Sequence, residues 1–440
     1  MQPVLADLIQ QLRACANVKD GYEFQHALLS HLNKADTARA AFAQAVKRIR
    51  SGKSPQRGAP DPQSGLDPSR LETWQLERDV CERLVRQLKC VGDALAWRVF
   101  GFQRKHIIAL CQNASPGAFA DKAGRAAELV HVERAYSEDG KFAILHDLTN
   151  GLRIGDVTIF DNDGTFKTIE VKTNPSRTSP AQNRRIKAAA AAVADNAPLP
   201  GKDRRARLYD IDLPYQTHLD VLRLGTERAA RDGIFTAKLA GDRALLVTDI
   251  YGYTAGGWTD DEWPNAVDRK FTAAIRRAGI GDDRQWHVMA TSVDSVSRNP
   301  ARVPFAAYPL HPVACARIIG DYAIFHVTTS GPTLADSLRR AGIDARWVLP
   351  PAQQYRELRP GEVVMEMITS TSGPAPTFGS GVRAELSRTL QMQRSELDRY
   401  LIELPDQATW IEGIRYLLAD YQFGDGQPWP HYRGEDQIWV

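Results

Sequence analysis

Apolar residues in the first fifty positions recur at three- and four-residue intervals: Leu5, Leu8, Ile9 and Leu12, then Phe24, Leu28, Leu29 and Leu32. That spacing gathers them on one face of a helix, so the chain is expected to open with helices packed on a core. The stretch SGKSPQRGAPDPQSGLDPS, residues 51–69, breaks the pattern with Gly, Pro and Ser and reads as a linker or long loop. Helical periodicity resumes at Leu71, with Trp74, Val80, Leu84 and Leu88 as expected core positions, and a further helix is expected over 121–136. Three strand-like runs follow, FAILHDLT, IGDVTIFD and TFKTIEVKT, rich in β-branched and aromatic residues and separated by Asn-Gly and Asp-Gly turn signals.

The alanine run in PAQNRRIKAAAAAVADN, residues 180–196, predicts a helix, because alanine loses little entropy there. RARLYDIDLP, residues 205–214, predicts a strand, and YQTHLDVLRLGTERAARDG a helix ending at Gly233. IFTAKLAGDRALLVTDI predicts a hairpin turning at Gly241. Farther on, ARIIGDYAIFHVTT reads as a strand, and RAELSRTLQMQRSELDRYLIEL and WIEGIRYLLADY as late helices. The expected division is a helical N-terminal region over 1–70 that ends in the linker, an α/β domain with its preceding helices over 71–255, and an α+β domain over 256–440.

The segment IGDVTIFDNDGTFKTIEVKT, residues 154–173, carries the chemistry. A reversal through Asn162, Asp163 and Gly164 pairs Asp161 with Thr165 and sets Asp156 opposite Glu170, with Gly164 suited to a left-handed loop position. Side chains alternate along a strand, so Asp156, Thr158, Glu170 and Lys172 are expected on one wet face, with Val157, Ile159, Ile169 and Val171 on the core face. Two carboxylates placed opposite one another repel unless a divalent cation lies between them, and Mg²⁺ favours one or two carboxylates with water and phosphate oxygens. Lys172, beside them, can orient an attacking water or offset charge on a phosphate. The alternative is a solvated hairpin whose Asp, Glu and Lys form weak surface ion pairs.

Bulk properties narrow the classes around this hairpin. With 440 residues, 43% hydrophobic and 25% charged, the chain has the makeup of a globular protein of two or three domains. A net charge of +3 names no partner. From Lys172 to Arg207, however, nine Lys or Arg stand against two Asp, a net charge of +7 over 36 residues. That density, including Arg177, Arg184, Arg185 and Lys187, suits backbone-phosphate contacts, although a solvated helix face also accounts for it. Five scattered cysteines with no CxxC pair fit a reducing cytoplasm, and no eighteen-residue apolar run or signal-like start points to a membrane or to export.

Gly155-Asp156, followed after thirteen residues by Glu170-Val171-Lys172, resembles the PD-(D/E)XK motif of the restriction-endonuclease-like nuclease superfamily. The expected helix, three strands, helix, strand order is similar to the α-β-β-β-α-β mixed-sheet core of that family, over about a hundred residues. Gly155 stands where the name-giving proline would be. The resemblance implies that Asp156 and Glu170 bind metal, joined by the carbonyl of Val171, with Mg²⁺ or Mn²⁺ as the ion, while Lys172 assists the water. It also implies an acid from the first core helix, Glu128 with Glu133 as the fallback, and a polar residue from the next helix, Gln182, reaching back to the site. The expected partner is nucleic acid, DNA before RNA, with a homodimer and a partner protein of a restriction or anti-phage system as further associates. The competing reading is a non-cleaving nucleic-acid-binding or scaffolding subunit with the same fold.

Other signals are weaker. FGSGVRAE at 378–385 lacks the preceding strand of a phosphate loop, lone His131 and His146 read as structural, and the seven tryptophans after residue 250 read as packing.

Overall fold

The computed structural model describes residues 2–51, 70–111, 124–161, 163–172, 180–195, 197–200, 216–281, 287–293, 302–348, 363–370 and 387–423. They form a mixed α/β structure with three small antiparallel sheets. The chain gathers into two compact units, Met1–Leu208 with Val303–Ala307, and Tyr209–Arg302 with Tyr308–Val440. No helix among the described residues is long and apolar enough to cross a membrane.

In the first unit, helices α1 (Gln2–Ala14), α2 (Val18–Ser51), α3 (Leu71–Val99) and α4 (Arg104–Leu110) precede α5 (Arg125–Ser137). Strands β1 (Phe142–Leu145), β2 (Val157–Phe160) and β3 (Phe166–Ile169) then form a sheet in that order, followed by α6 (Pro180–Ala194). Helix, three strands and helix therefore come in the expected order. The strand expected over 205–214, which would complete the core, lies outside the described residues apart from its sequence, as does the segment 52–69.

All eight apolar residues singled out in α1 and α2 are buried. In α3 the buried stripe runs through Trp74, Val85 and Leu88. Val80, expected in that core, is 52% exposed, because six residues beyond Trp74 a helix has turned it about 120° from the stripe.

The N-terminal helices are tied to the sheet. The buried Gln25 of α2 donates from Nε2 to Ala143 O (3.0 Å) and accepts from Leu145 N (2.9 Å), so its amide meets backbone groups on the edge strand β1. Gly92 of α3 allows a similarly close approach: a Cβ there would lie 2.0 Å from Leu148 O. Asp93 then accepts from Asn150 N (2.8 Å) and Gly151 N (2.9 Å), fixing the loop that leads into β2.

The second unit contains α7 (Leu219–Asp232), β4 (Ile234–Leu239), β5 (Arg243–Asp249), α8 (Ile250–Ala255), α9 (Glu262–Arg277) and β6 (His287–Thr291). It continues with α10 (Pro312–Ile319), β7 (Ala323–Ser330), α11 (Gly331–Arg340), β8 (Asp344–Trp347), β9 (Val363–Ser370), β10 (Ser387–Gln393), α12 (Arg394–Ile402) and α13 (Gln407–Phe423). Its sheets have the orders β4-β5-β7-β6 and β10-β9-β8. The hairpin at 234–249, grouped by sequence with the segment before it, pairs through β5 with β7 instead.

Two sequence expectations in this unit are corrected. The strand expected from Ala316 begins as helix α10, which starts with Pro312 and is capped by His311, and becomes strand only at Ala323. The helix expected over 383–404 begins as β10, where pairing with β9 overrides the helix-favouring Leu, Gln and Met, and turns helical at Arg394. Three of the described tryptophans follow the packing expectation: Trp258 and Trp263 pack on the cluster of Ile234, Leu246 and Ala266, and Trp410 stacks on Tyr400 at 4.3 Å.

A buried ammonium in α3 makes the first unit pH-sensitive. Lys89 is 4% exposed, and burial, aided by Arg153, pushes its pKa down to about 8. Between pH 8 and the ordinary lysine value of 10.5 the unfolded chain holds a proton that the folded chain has lost, so this group's contribution to stability rises with pH across that window. Urea unfolding of the protein and of Lys89→Met should show the unaltered chain gaining roughly 3 kcal/mol on the variant between pH 7.5 and 10.5. A difference independent of pH would show that Lys89 is not held in this way.

Candidate metal and nucleic-acid site

From Val157 to the turn the β2–β3 hairpin adopts the register expected from its sequence, but the ladder ends at Val157–Ile169 and the expected pair of Asp156 with Glu170 lies outside it. Val157 faces Ile169, Thr158 faces Thr168 and Phe160 faces Phe166, while Asp161 N donates to Thr165 O at 2.8 Å. Gly164 closes the turn with φ +82°.

At Asp156 the strand departs from a flat ladder. Its N–H donates to Ile169 O (2.8 Å), a residue that already faces Val157, and its own carbonyl accepts from His146 N (2.9 Å). Asp156 and Val157 thus both address Ile169 of β3, the pattern of a β-bulge, and Gly155 supplies the bend with φ +80°. Proline, whose ring fixes φ near −65°, is excluded from that conformation, so the glycine in the motif is a backbone requirement.

The bend brings the Asp156 carboxylate to the Glu170–Val171 peptide, where Oδ2 accepts the N–H of Val171 at 2.8 Å. Glu170 is largely enclosed, its side chain 12% exposed. Its Oε1 pairs with Lys172 Nζ, and its Oε2 is buried with no hydrogen-bond partner among the described residues. A buried carboxylate oxygen without a donor is costly, and a cation is the usual remedy. The donor set of Asp156, Glu170 and the Val171 carbonyl is hard oxygen throughout and suits Mg²⁺ in kind. Among the described residues, however, no three His, Cys, Asp or Glu side chains gather as a group able to hold a metal.

Glu128 lies 1% exposed on the inner face of α5, in line with the buried Val132 and Ala135. Glu133, the fallback, is exposed and accepts a hydrogen bond from Tyr22 Oη. Helix α5 packs on β1 and β2. That packing, together with the turn after β1, corrects the expectation of a wet face, because Thr158 on that side is fully buried.

The helix after the hairpin presents Arg184 and Lys187 to solvent, while Arg185 and Gln182 are half-buried. Helix α6 packs on α4, and no hydrogen bond joins Gln182 to Asp156, Glu170 or Lys172 among the described residues. Arg177 and the residues of the basic run from 202 to 207 lie outside the described residues, as does FGSGVRAE at 378–385.

Sequence reasoning set His146 aside as structural and gave Thr158 no role beyond its face. The imidazole of His146 is buried beside the bend, with Nδ1 3.1 Å from Gly155 O and Nε2 2.8 Å from Thr158 Oγ1. Burial pushes its pKa down to about 4, which keeps the ring neutral near pH 7. The signal that could have found it was its pairing position: extending the β1–β2 register by one residue sets His146 opposite Asp156.

No protein-family model matches the chain, and neither a curated protein nor a solved structure does.

The bend itself is testable. At Gly155 an added Cβ would sit 2.4 Å from Thr168 Cγ2, whereas at Gly164 it would meet nothing within 4 Å, and both have positive φ. Gly164→Ala should cost about 1–2 kcal/mol from backbone strain alone. Gly155→Ala should add steric overlap for a total of about 3 kcal/mol in urea unfolding. Equal losses would mean that the close approach to Thr168 is absent.

Proposed function

We propose that this chain is a Mg²⁺-dependent nuclease that hydrolyses phosphodiester bonds of DNA, of the PD-(D/E)XK type. The observation that carries the reading is the corner formed by Asp156 and Glu170. One carboxylate reaches the backbone at Val171, the other has a buried oxygen without a hydrogen-bond donor, and an amine is paired beside it. A binding protein has little reason to keep two carboxylates in a groove meant for a polyanion.

Asp156, Glu170 and the Val171 carbonyl would hold the ion, with Mn²⁺ as a substitute, and Glu128 would join from α5. When bound, Mg²⁺ would supply Lewis-acid neutralisation of charge on the phosphate. Lys172 carries the remaining positive charge: its ammonium can donate to a phosphoryl oxygen or orient the attacking water. Arg184 and Lys187, exposed on α6, are suited to backbone phosphates, a contact that sets affinity without reading sequence. An effector role in restriction or anti-phage defence, with a partner protein or a second copy, extends this reading by family analogy.

Purified protein should nick supercoiled plasmid in Mg²⁺ and stop in EDTA. Asp156→Ala and Lys172→Ala should each lower the rate by at least about a hundredfold. Undiminished cleavage in both variants would exclude this site. DNA binding that needs no divalent ion, strengthens in Asp156→Ala and leads to no cleavage would favour the scaffolding reading.

A further inference from the structure

Behind the Asp156–Glu170 corner runs a line of hydrogen bonds whose protons can be assigned from their partners. His146 Nδ1 faces Gly155 O at 3.1 Å, Nε2 faces Thr158 Oγ1 at 2.8 Å, and that hydroxyl faces Thr168 Oγ1 at 2.8 Å. A carbonyl oxygen only accepts, so Nδ1 carries the ring proton. Nε2 of the neutral ring is then an acceptor, and Thr158 must donate to it. The lone pairs left on Thr158 Oγ1 accept the hydroxyl proton of Thr168.

The line spans three strands' worth of structure. His146 sits in the turn after β1, and its own backbone N–H holds Asp156 O at 2.9 Å. Its ring grips Gly155 and Thr158, which flank Asp156 along the chain. Thr168, at the far end, stands two residues before Glu170. His146 is 2% exposed and Thr158 fully buried, so water does not offer them ready alternative partners.

We infer that His146, acting through Thr158 and Thr168, is a positioning residue that sets the spacing of Asp156 and Glu170 for a divalent cation. This inference rests on the nuclease reading above. Groups that hydrogen-bond behind metal-binding residues commonly change metal affinity ten- to a hundredfold, without touching the ion.

Mn²⁺ binding to the full chain, followed by electron paramagnetic resonance, tests it with four proteins. Thr158→Val keeps much of the side-chain shape but removes the donor to His146 Nε2, and should weaken Mn²⁺ binding roughly tenfold or more. Thr158→Ser, which keeps the hydroxyl, should bind much as the unaltered chain does, and Asp156→Ala should lose binding. If Thr158→Val binds Mn²⁺ normally while Asp156→Ala does not, the positioning role is wrong and the metal reading stands. If the unaltered chain binds no Mn²⁺, the metal reading fails and this inference with it. Should Thr158→Val not fold, ¹⁵N spectra of histidine side chains in the unaltered chain decide the matter: His146 should appear as the neutral Nδ1–H tautomer at neutral pH. An Nε2–H tautomer or an imidazolium would overturn the hydrogen-bond line.

Discussion

A sheet face that is covered by helices leaves its polar groups no water to turn to, so each must find a partner within the protein. In the first unit this constraint acts on the short stretch from Gly155 to Thr158. The positive φ of Gly155 kinks the strand, and the kink frees backbone groups that a flat ladder would have used. His146 takes up two of the carbonyls, one by its ring and one by its backbone, and Thr158 and Thr168 complete the arrangement across the strands. The Asp156 carboxylate reaches Val171 because the strand bends there.

Around that hairpin the N-terminal helices act as a frame. Gln25 meets the open edge of β1, Asp93 fixes the loop before β2, and Arg98 donates to Leu12 O and Cys15 O (both 2.5 Å) at the end of α1. These polar ties fix the direction of approach, while the buried apolar stripes of α1, α2 and α3 supply the bulk of the burial. The second unit uses the same device in Arg243. This fully buried cation donates to Tyr400 O and Pro405 O and lies 4.4 Å from the Tyr400 ring centroid, so it joins β5 to the end of α12.

The candidate site is unusual in what its parts do for each other. Lys172 is held by Glu170, so the amine and one carboxylate oxygen are matched in the protein alone, while the second oxygen is enclosed without a donor. That asymmetry distinguishes it from a surface ion pair, in which water would satisfy both oxygens.

The amino-acid sequence by itself determined the pairing of this hairpin from Val157–Ile169 to the turn. Alternation of apolar residues and a glycine at the turn admit a single register, and a slip of one residue would expose the core face. It likewise determined the amphipathic faces of α1 and α2, where periodicity alone sorts inside from outside. Only the tertiary structure decided that Thr158 on the polar face of the hairpin is covered and that Glu128 and not Glu133 faces inward. It also decided that residues 387–393 pair as a strand and that 312–319 coil as a helix. In each of these cases the deciding partner comes from distant sequence or from a cap outside the apolar pattern, and periodicity carries no information about either.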